Sequence, residues 1–340
     1  MTTNFPSSSD PHVSIIILNY NGKKFLKNCF SSLSRMNYTD SFEVIMLDND
    51  SADGSVDYVK KNFLWVKVIS FDKNLGFGGG NNRGAIIARG KYLAFLNNDT
   101  IADENWLRNL MQQASHGHQI LASKTIFLQN PKMIEYGGGW LLPNGRGISI
   151  QYHREDRYDY KLSETGYPCA AAMLIEKEIF QKLGGFDEDY FAALDDTDLG
   201  WRAWLAGYKV IHCPESKVLH WSGGTAGERR DSPMRILHGT KNAYMNIIKN
   251  MELRNVMVGL VLAVGYDFLE ILELVRRKNS VSLKAKIIGI LWVLEHIHSI
   301  FMKRTFVQKI RVISDKTLVK KGLLLNATQS VRQYCLFRFC

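Results

Sequence analysis

Two rhythms of apolar and polar positions run through the first hundred residues. Residues 13–18 (VSIIIL) are a β-branched apolar run that stops at Asn19-Tyr20-Asn21-Gly22, the mark of a strand entering a turn. Between 24 and 35 the apolar residues Phe25, Leu26, Cys29, Phe30 and Leu33 fall at helical spacing. A second strand, 43–47 (EVIML), ends at Asp48-Asn49-Asp50-Ser51, and a helix over 55–62 and a strand over 66–71 follow. The glycine-rich stretch 74–84 leads into a helix through Arg89, and a strand over 91–96 runs into Asn97-Asn98-Asp99-Thr100. Strand, helix, strand, helix, strand predicts an α/β domain with a mostly parallel central sheet. Such sheets bind ligands beyond the carboxyl ends of their strands. Three of these strands end in polar clusters, so the polar groups collect on one edge.

The pattern is less regular from 120 to 225. Gly137-Gly138-Gly139, Pro143 and Gly145 predict a hairpin or loop. "CAAAMLIEKEIFQKLGGFDEDYF" reads as a strand, a short helix and a glycine stop. "DDTDLGWRAWLAGYKVIHCP" reads as an amphipathic helix over 197–206, Gly207 as its C-cap and a strand over 208–212, with a further extended segment over 216–219. From 251 the character changes again. Residues 256–266 and 287–294 are uncharged and apolar, each shorter than the roughly 18 residues a membrane-spanning helix needs. Charged residues flank them, among them Arg276-Arg277-Lys278, Lys284, Lys286 and Lys303-Arg304. Two structures fit: amphipathic helices lying in a membrane surface, or a helical subdomain packed on the core or in a dimer. The chain thus divides into a short flexible tail (1–11), a domain over 12–250 and a basic, amphipathic helical region over 251–340.

Composition sharpens this division. The 340 residues carry a formal net charge of +10, and residues 251–340 alone hold 15 Lys and Arg against 6 Asp and Glu. The basic balance therefore belongs to the C-terminal region, and no nucleic-acid motif accompanies it. Five scattered cysteines without a CxxC pair suggest a reducing compartment rather than a disulfide framework. The first 12 residues contain no Lys or Arg and do not resemble a signal peptide.

Four features carry candidate chemistry. Asp99, at a strand end, is either a turn former or a metal ligand. Asp195, Asp196 and Asp198 crowd three carboxylates into four residues. A helix start offsets such repulsion, yet three are more than a cap requires, and crowding holds one member at a raised pKa suited to a general base. His220 follows an extended segment and precedes a glycine-bearing, mobile loop; beside carboxylates it suits a Mn-type ion. The other histidines show no metal spacing. Finally, the segment from Asn74 to Gly84 resembles a phosphate-cradling loop, with Arg83 as a charged fork for phosphate, but it matches neither the dinucleotide fingerprint nor the P-loop.

Taken in order, "VSIIILNYNG", "VIMLDNDSADGS", "NLGFGGGNNRG", "YLAFLNNDT", "LGGFDEDYFAALDDTDLGWRAWLAGYKV" and "VLHWSGG" resemble the inverting family 2 glycosyltransferases of the GT-A fold. The resemblance covers residues 12–225 and is to the rhamnosyltransferase and galactofuranosyltransferase branch; "KRTFVQKIRVISDKTL" also resembles the tail of some bacterial members. The resemblance implies a site, residue by residue. Leu18 and Tyr20 flank the nucleotide base, and Asp48 lies against base or ribose. Asn74, Gly76, Asn82 and Gly84 match the loop lining the nucleotide-sugar site, with Arg83 in reach. Asn97 and Asp99 occupy the DxD position, where Asn97 replaces the first carboxylate and makes metal binding weaker by one formal charge. Asp99 is then the main ligand of a Mg²⁺ or Mn²⁺ ion and His220 the complementary one. Asp196 matches the general base, with Asp195 beside it, and Asp198 and Arg202 orient the base or the acceptor.

The implied donor is dTDP-rhamnose, then a UDP-sugar. The implied acceptor is a saccharide, lipid-linked if the basic tail lies on the cytoplasmic face of a membrane, with a homo-oligomer as the other use of that tail. A catalytically inactive nucleotide-sugar-binding or assembly protein is the alternative, and Asn97 is its best support. A nucleic-acid-binding protein leaves the acidic site unexplained, and an oxidoreductase lacks the dinucleotide fingerprint.

Overall fold

The computed structural model describes residues 11–157, 161–222 and 232–339. The tail expected over 1–11, apart from Pro11, and the mobile loop read into Gly223-Gly224-Thr225 lie outside the described residues.

The expected alternation is present as β1 (Val13–Asn19), α1 (Lys23–Leu33), β2 (Phe42–Asp48), α2 (Ser55–Asn62), β3 (Val66–Ser70), α3 (Gly76–Ile87) and β4 (Tyr92–Leu96). These strands form a parallel half-sheet in the order β3-β2-β1-β4. Side chains alternate between its faces, as strand geometry requires. Ile16, Leu93 and Phe95 enter one core, while Ile15, Ile17 and Ala94 enter the other. Burial on both faces explains why the strands read as unbroken apolar runs. The in-register pairing of β1 and β2 ends at Asn19 opposite Asp48, so their polar ends stand level at the carboxyl edge.

The chain continues through β5 (Thr100–Ala102), α4 (Trp106–Ser115), β6 (Ile120–Phe127), β7 (Ile134–Tyr136), β8 (Gly139–Leu141), β9 (Gly147–Ser149), β10 (Ser163–Glu164), β11 (Ala172–Glu176), α5 (Lys177–Lys182), α6 (Asp195–Leu205) and β12 (Val210–His220). β8 and β9 form the hairpin expected around Pro143 and Gly145. β11 inserts antiparallel between β4 and β6, and β12 lies parallel to β6 beyond it, so the sheet is mixed. The separate segments expected over 208–212 and 216–219 are one strand. A register shift between Cys213 and Lys217 absorbs Pro214, which cannot donate to the ladder. α6 begins two residues earlier than expected, at Asp195.

A further correction concerns 74–84, read as a loop leading into a helix. The helix starts at Gly76 and contains the glycines. Their role is close packing: a Cβ on Gly80 would lie 2.4 Å from Leu18 Cδ1, and one on Gly84 would lie 2.5 Å from Leu47 Cδ1 and 2.7 Å from Ile16 Cγ2. The backbone of α3 thus rests directly on the sheet.

The C-terminal region is α7 (Pro233–Asn250), α8 (Leu253–Arg276), α9 (Ser280–Glu295), α10 (Ile297–Ile310), α11 (Asp315–Lys320) and α12 (Ala327–Phe339). It is tied back to the α/β domain by backbone bonds from Leu141 N–H to Leu323 O (2.8 Å) and from Leu325 N–H to Leu141 O (2.9 Å). No single described helix is long and apolar enough to cross a membrane; α9 and α10, bent by 68°, pass that test only as a pair.

Replacing Gly84 by Val drives a branched side chain into Leu47 and Ile16, and overpacking of this kind costs about 2 kcal/mol. Urea denaturation is expected to register that loss for Gly84→Val and almost none for Ile86→Ala, whose side chain is exposed.

Candidate active site

The carboxyl edge is organised by amides. Asn19 Nδ2 donates to Asp48 Oδ1 and Ser51 Oγ, each at 3.1 Å, and Asn98 Nδ2 donates to Asn19 Oδ1 at 2.7 Å. Ser51 N–H donates to Asp48 Oδ2 at 3.0 Å. Asn49 bonds to Asn74 (2.8 Å) and accepts from Leu75 N–H (2.9 Å), and Asn74 Oδ1 accepts from Gly76 N–H (2.9 Å). β1, β2, β4 and the start of α3 are therefore locked together where a ligand would bind. Tyr20 is exposed at the mouth, and Leu18 lies half-buried beneath Gly80. Gly76, at φ +72°, has no room for a Cβ, which would lie 2.7 Å from the Phe191 backbone.

At the end of β12, His220 Nε2 lies 3.2 Å from Asp99 Oδ1 and 3.4 Å from Asn97 Nδ2. Its Nδ1 is 2.7 Å from Glu135 Oε2 on β7. Burial alone would lower the imidazole pKa; the charges of Glu135 and Asp99 overcome this and hold it well above its ordinary value. The raised pKa favours the imidazolium, which gives Nδ1–H to Glu135 and Nε2–H to Asp99; only on loss of the Nε2 proton does a lone pair face Asp99 and Asn97. A carboxylate behind a histidine is the usual orienting partner of a metal-binding imidazole. The described residues contain no cluster of three or more His, Cys, Asp or Glu placed to hold a metal ion. That donor set fits an ion of the Mg²⁺ or Mn²⁺ kind, which takes few protein ligands and completes its shell with phosphate oxygens and water.

The carboxylates of α6 separate into two groups. Asp196 Oδ2 accepts from Ala170 N–H (3.2 Å), and its Oδ1 accepts from Thr197 N–H (2.7 Å). Burial raises its pKa against the pull of these bonds. Asp195 is buried with Oδ1 lacking a hydrogen-bond partner among the described residues, and burial followed by the Asp196 charge pushes it well above the carboxylate range. Both carboxyls are thus held above the ordinary carboxylate range, the direction that suits a proton acceptor. Asp198 and Arg202, expected to orient the base or acceptor, turn instead into the protein interior. Arg202 Nε donates to Asp198 Oδ2 (2.8 Å), and Arg202 Nη2 donates to Gly185 O (2.8 Å). Burial works against the Asp198 charge, but Arg202 and Lys249 bring its pKa below the ordinary value. They act on Asp196 only by fixing the helix that carries it.

Other expected residues are used differently. Asn82 is engaged with the backbone of the neighbouring turn: Nδ2 donates to Phe186 O and Oδ1 accepts from Phe186 N–H, each at 2.9 Å. Gly84 faces the sheet, and Arg83 is exposed on the outer side of α3. Glu135 was not found from sequence: it lies 85 residues before His220, in a stretch without any recognisable pattern. Asn19, Asn49 and Asn98 were visible only as turn residues.

The parallel half-sheet, the amide-lined edge and the buried carboxylates of α6 define an α/β protein of the GT-A type. The sequence profile described as Glycosyl transferase family 2 matches residues 14–184, and the chain belongs to that family. It is 26% identical over 242 residues to the O-antigen biosynthesis protein RfbC of Myxococcus xanthus, covering 67% of this chain but 18% of that protein. It is 23% identical over 257 residues to the N-acetylglucosaminyl-diphospho-decaprenol L-rhamnosyltransferase of Mycobacterium tuberculosis, covering 68% of this chain and 82% of that one. Among solved structures, the mannosyltransferase PcManGT of Pyrobaculum calidifontis, in complex with GDP-Man and Mn²⁺, superposes with a TM-score of 0.53 at 13% identity, covering 89% of this chain and 86% of that chain. GalNAc-T7 with UDP, GalNAc and Mn²⁺ gives 0.55 at 17%, covering 69% and 48%. At these identities the structural likeness is one of fold.

Glu135→Gln keeps the shape of the side chain and removes the charge behind His220. Mn²⁺ affinity, read by electron paramagnetic resonance with nucleoside diphosphate present, is expected to fall about 10- to 100-fold. Unchanged affinity would remove His220 from the ligand set.

Proposed function

We propose that the protein is an inverting glycosyltransferase that uses a divalent ion and moves a sugar from a nucleotide-sugar to a saccharide acceptor in cell-surface polysaccharide synthesis. dTDP-rhamnose is the first donor to test and a UDP-sugar the second. The observation that carries the reading is Asp196: a half-buried carboxylate with a raised pKa at the edge where Asp99, His220 and the Asn19–Asp48 amide network also end. The names of the Myxococcus and Mycobacterium relatives support the polysaccharide context and the rhamnosyl donor.

In this mechanism Tyr20 and Asp48 bound the nucleotide, and Asp99 and His220 hold Mg²⁺ or Mn²⁺. Bound there, such an ion would supply charge neutralisation for the departing diphosphate. Asp196 takes the proton of the attacking acceptor hydroxyl, with Asp195 beside it. One in-line displacement inverts the anomeric carbon, and no covalent sugar–enzyme intermediate is required. Asn97 in place of a carboxylate supports the second reading, a catalytically inactive nucleotide-sugar-binding protein. The experiment is a panel of nucleotide-sugars with purified protein, with and without Mn²⁺ or Mg²⁺, and lipid-linked saccharides as acceptors. Metal-dependent release of one nucleoside diphosphate supports the transferase; binding without release favours the second reading.

The C-terminal helices support a membrane-surface location, which we propose to be the cytoplasmic face. Their polarity is inverted relative to a soluble bundle. Lys286 is fully buried between Asp267 Oδ1 (2.6 Å) and Glu270 Oε2 (2.5 Å), so these two acidic residues of α8 face inward, while Glu273 pairs with Arg276 and Arg277 on the outside. Met257, Val261, Val264, Phe268 and Leu272 form an exposed stripe on α8, and Leu291, Leu294 and Phe301 extend the apolar exterior onto α9 and α10. Arg276, Arg277, Lys278 and Lys284 stand exposed beside it, matching an anionic lipid surface.

Asp196 must be ionised to accept a proton, and its pKa is raised. The acidic limb of the kcat/KM profile is therefore expected above the ordinary carboxylate value of about 4, with activity lost as pH falls through it. Asp196→Asn is expected to abolish transfer with nucleotide binding retained.

For the membrane face, flotation with phosphatidylglycerol-containing vesicles is expected to carry the protein, and neutral vesicles or high salt to release it. Phe268→Glu with Leu272→Glu should lower vesicle binding at least tenfold. Concentration-dependent dimerisation without vesicle binding would assign the same face to a second copy.

A further inference from the structure

We propose that Asn242 of α7 is a positioning residue for the transfer reaction, holding the strained segment Phe191 to Leu194 and through it the placement of Asp195 and Asp196. The inference rests on the assignment of Asp196 as the base.

The segment is unusual in its backbone. Phe191 has φ 62° and ψ −48°, with Ala192 N–H donating to Tyr190 O at 2.6 Å, a γ-turn of the rare positive-φ kind. Ala193 (φ 67°) and Leu194 (φ 62°) follow in the left-handed region. None of the three is glycine, so each is held against its own preference. Leu194 occupies the N-cap of α6 without a side-chain capping bond, where Ser, Thr, Asp or Asn would be the relaxed solution. Strain of this kind persists only where the surroundings over-determine it.

Two sets of contacts do so. Asn242 is fully buried, and its Nδ2 donates to Tyr190 O (3.2 Å), Ala192 O (2.8 Å) and Ala193 O (2.7 Å). An amide nitrogen has two protons, so three carbonyls share them. The Asn242 Oδ1 finds no partner among the described residues, so the side chain is spent on the segment. On the opposite side Phe77 N–H donates to Phe191 O at 2.6 Å, an approach that Gly76 permits. Gly76 is bonded to Asn74, and Asn74 to Asn49 at the end of β2. The segment is thus strung between the nucleotide edge and α7, and Asp195 is the next residue. Releasing the α7 side lets it relax and moves the carboxylates away from the acceptor, without altering the edge that binds nucleotide.

Asn242→Ala and the milder Asn242→Ser are to be assayed beside Asp196→Asn for donor KM, kcat and thermal melting. The expected result is a kcat at least 20-fold lower with donor KM within twofold. Ala193→Gly, which removes the backbone penalty at an exposed position, is expected to recover at least threefold in the Asn242 variant. A wild-type kcat in either Asn242 variant overturns the proposal. So does a loss that follows the melting of the protein and is not rescued by glycine. If Asp196→Asn turns over normally, the base assignment fails instead. Wild-type protein inactive on every donor overturns both.

Discussion

Asp198 has no exposed surface, and the placement of α6 depends on how its charge is met. Lys249 Nζ lies 3.0 Å from its Oδ1, Arg202 Nη2 lies 2.7 Å from its Oδ2, and Asn250 Nδ2 donates to it at 3.1 Å. Lys249 also reaches Asp187 Oδ2 at 2.5 Å, and Lys303 of α10 pairs with Asp187 and with Asp189. Three cations thus meet three carboxylates in a cluster that is mostly shielded from water. Such a cluster adds little net stability over an apolar core, but removing Asp198, Arg202 or Lys249, the fully enclosed members, strands a buried charge at a cost of about 3–5 kcal/mol. Its consequence is specificity of arrangement: α6, the turn at Gly185, α7 and α10 have one mutual placement that satisfies every charge. The catalytic half and the basic C-terminal region, distinct in sequence character, are joined through this cluster. Arg304 reinforces the junction by donating to Ile248 O (2.5 Å) and Met251 O (2.7 Å) at the end of α7.

The same division between charge and neutrality runs across the site. The amide network of Asn19, Asn98, Asn49 and Asn74 fixes the strand ends without adding charge, leaving Asp48 as the only carboxylate within it. Negative charge is concentrated instead at Asp99 and Asp196. A diphosphate is itself anionic, so an edge built of amides tolerates its approach better than one built of carboxylates. Asn97 extends this economy to the end of β4, where Glu135 lies behind His220.

The strands were legible because burial on both faces writes them as β-branched runs, and their polar ends pointed to the right edge. The glycines of 74–84 misled because glycine disfavours helix by about 1 kcal/mol per residue. α3 forms nonetheless, since Gly80 and Gly84 allow a backbone-to-sheet contact that no other residue permits. The strand β12 reads in sequence as two segments, 208–212 and 216–219, but a bulge that accommodates Pro214 keeps it continuous. Asp198 and Arg202 were recognisable as a motif, but which way a helical pair faces is decided by what packs on it. Glu135 had no local signal at all, because its role exists only when β7 and β12 pair with the two edges of β6.

α7 is where these arguments meet. Asn242, Asn246, Lys249 and Asn250 recur at helical spacing along one side: Asn242 holds the segment before α6, Asn246 accepts from Tyr190 Oη (2.8 Å), and the last two meet Asp198. A polar face this long is costly to bury, and it is tolerated because nearly every donor on it closes a turn or a charge around the carboxylates. On its other side α7 receives α9 at close range, with Gly289 against Leu237 O, Lys286 Nζ bonded to Thr240 Oγ1 at 3.1 Å and Lys241 over the Trp292 ring at 4.3 Å. α9 is also one of the helices with an apolar exterior. A single helix therefore lies between the residues proposed to carry the chemistry and the surface proposed to meet lipid.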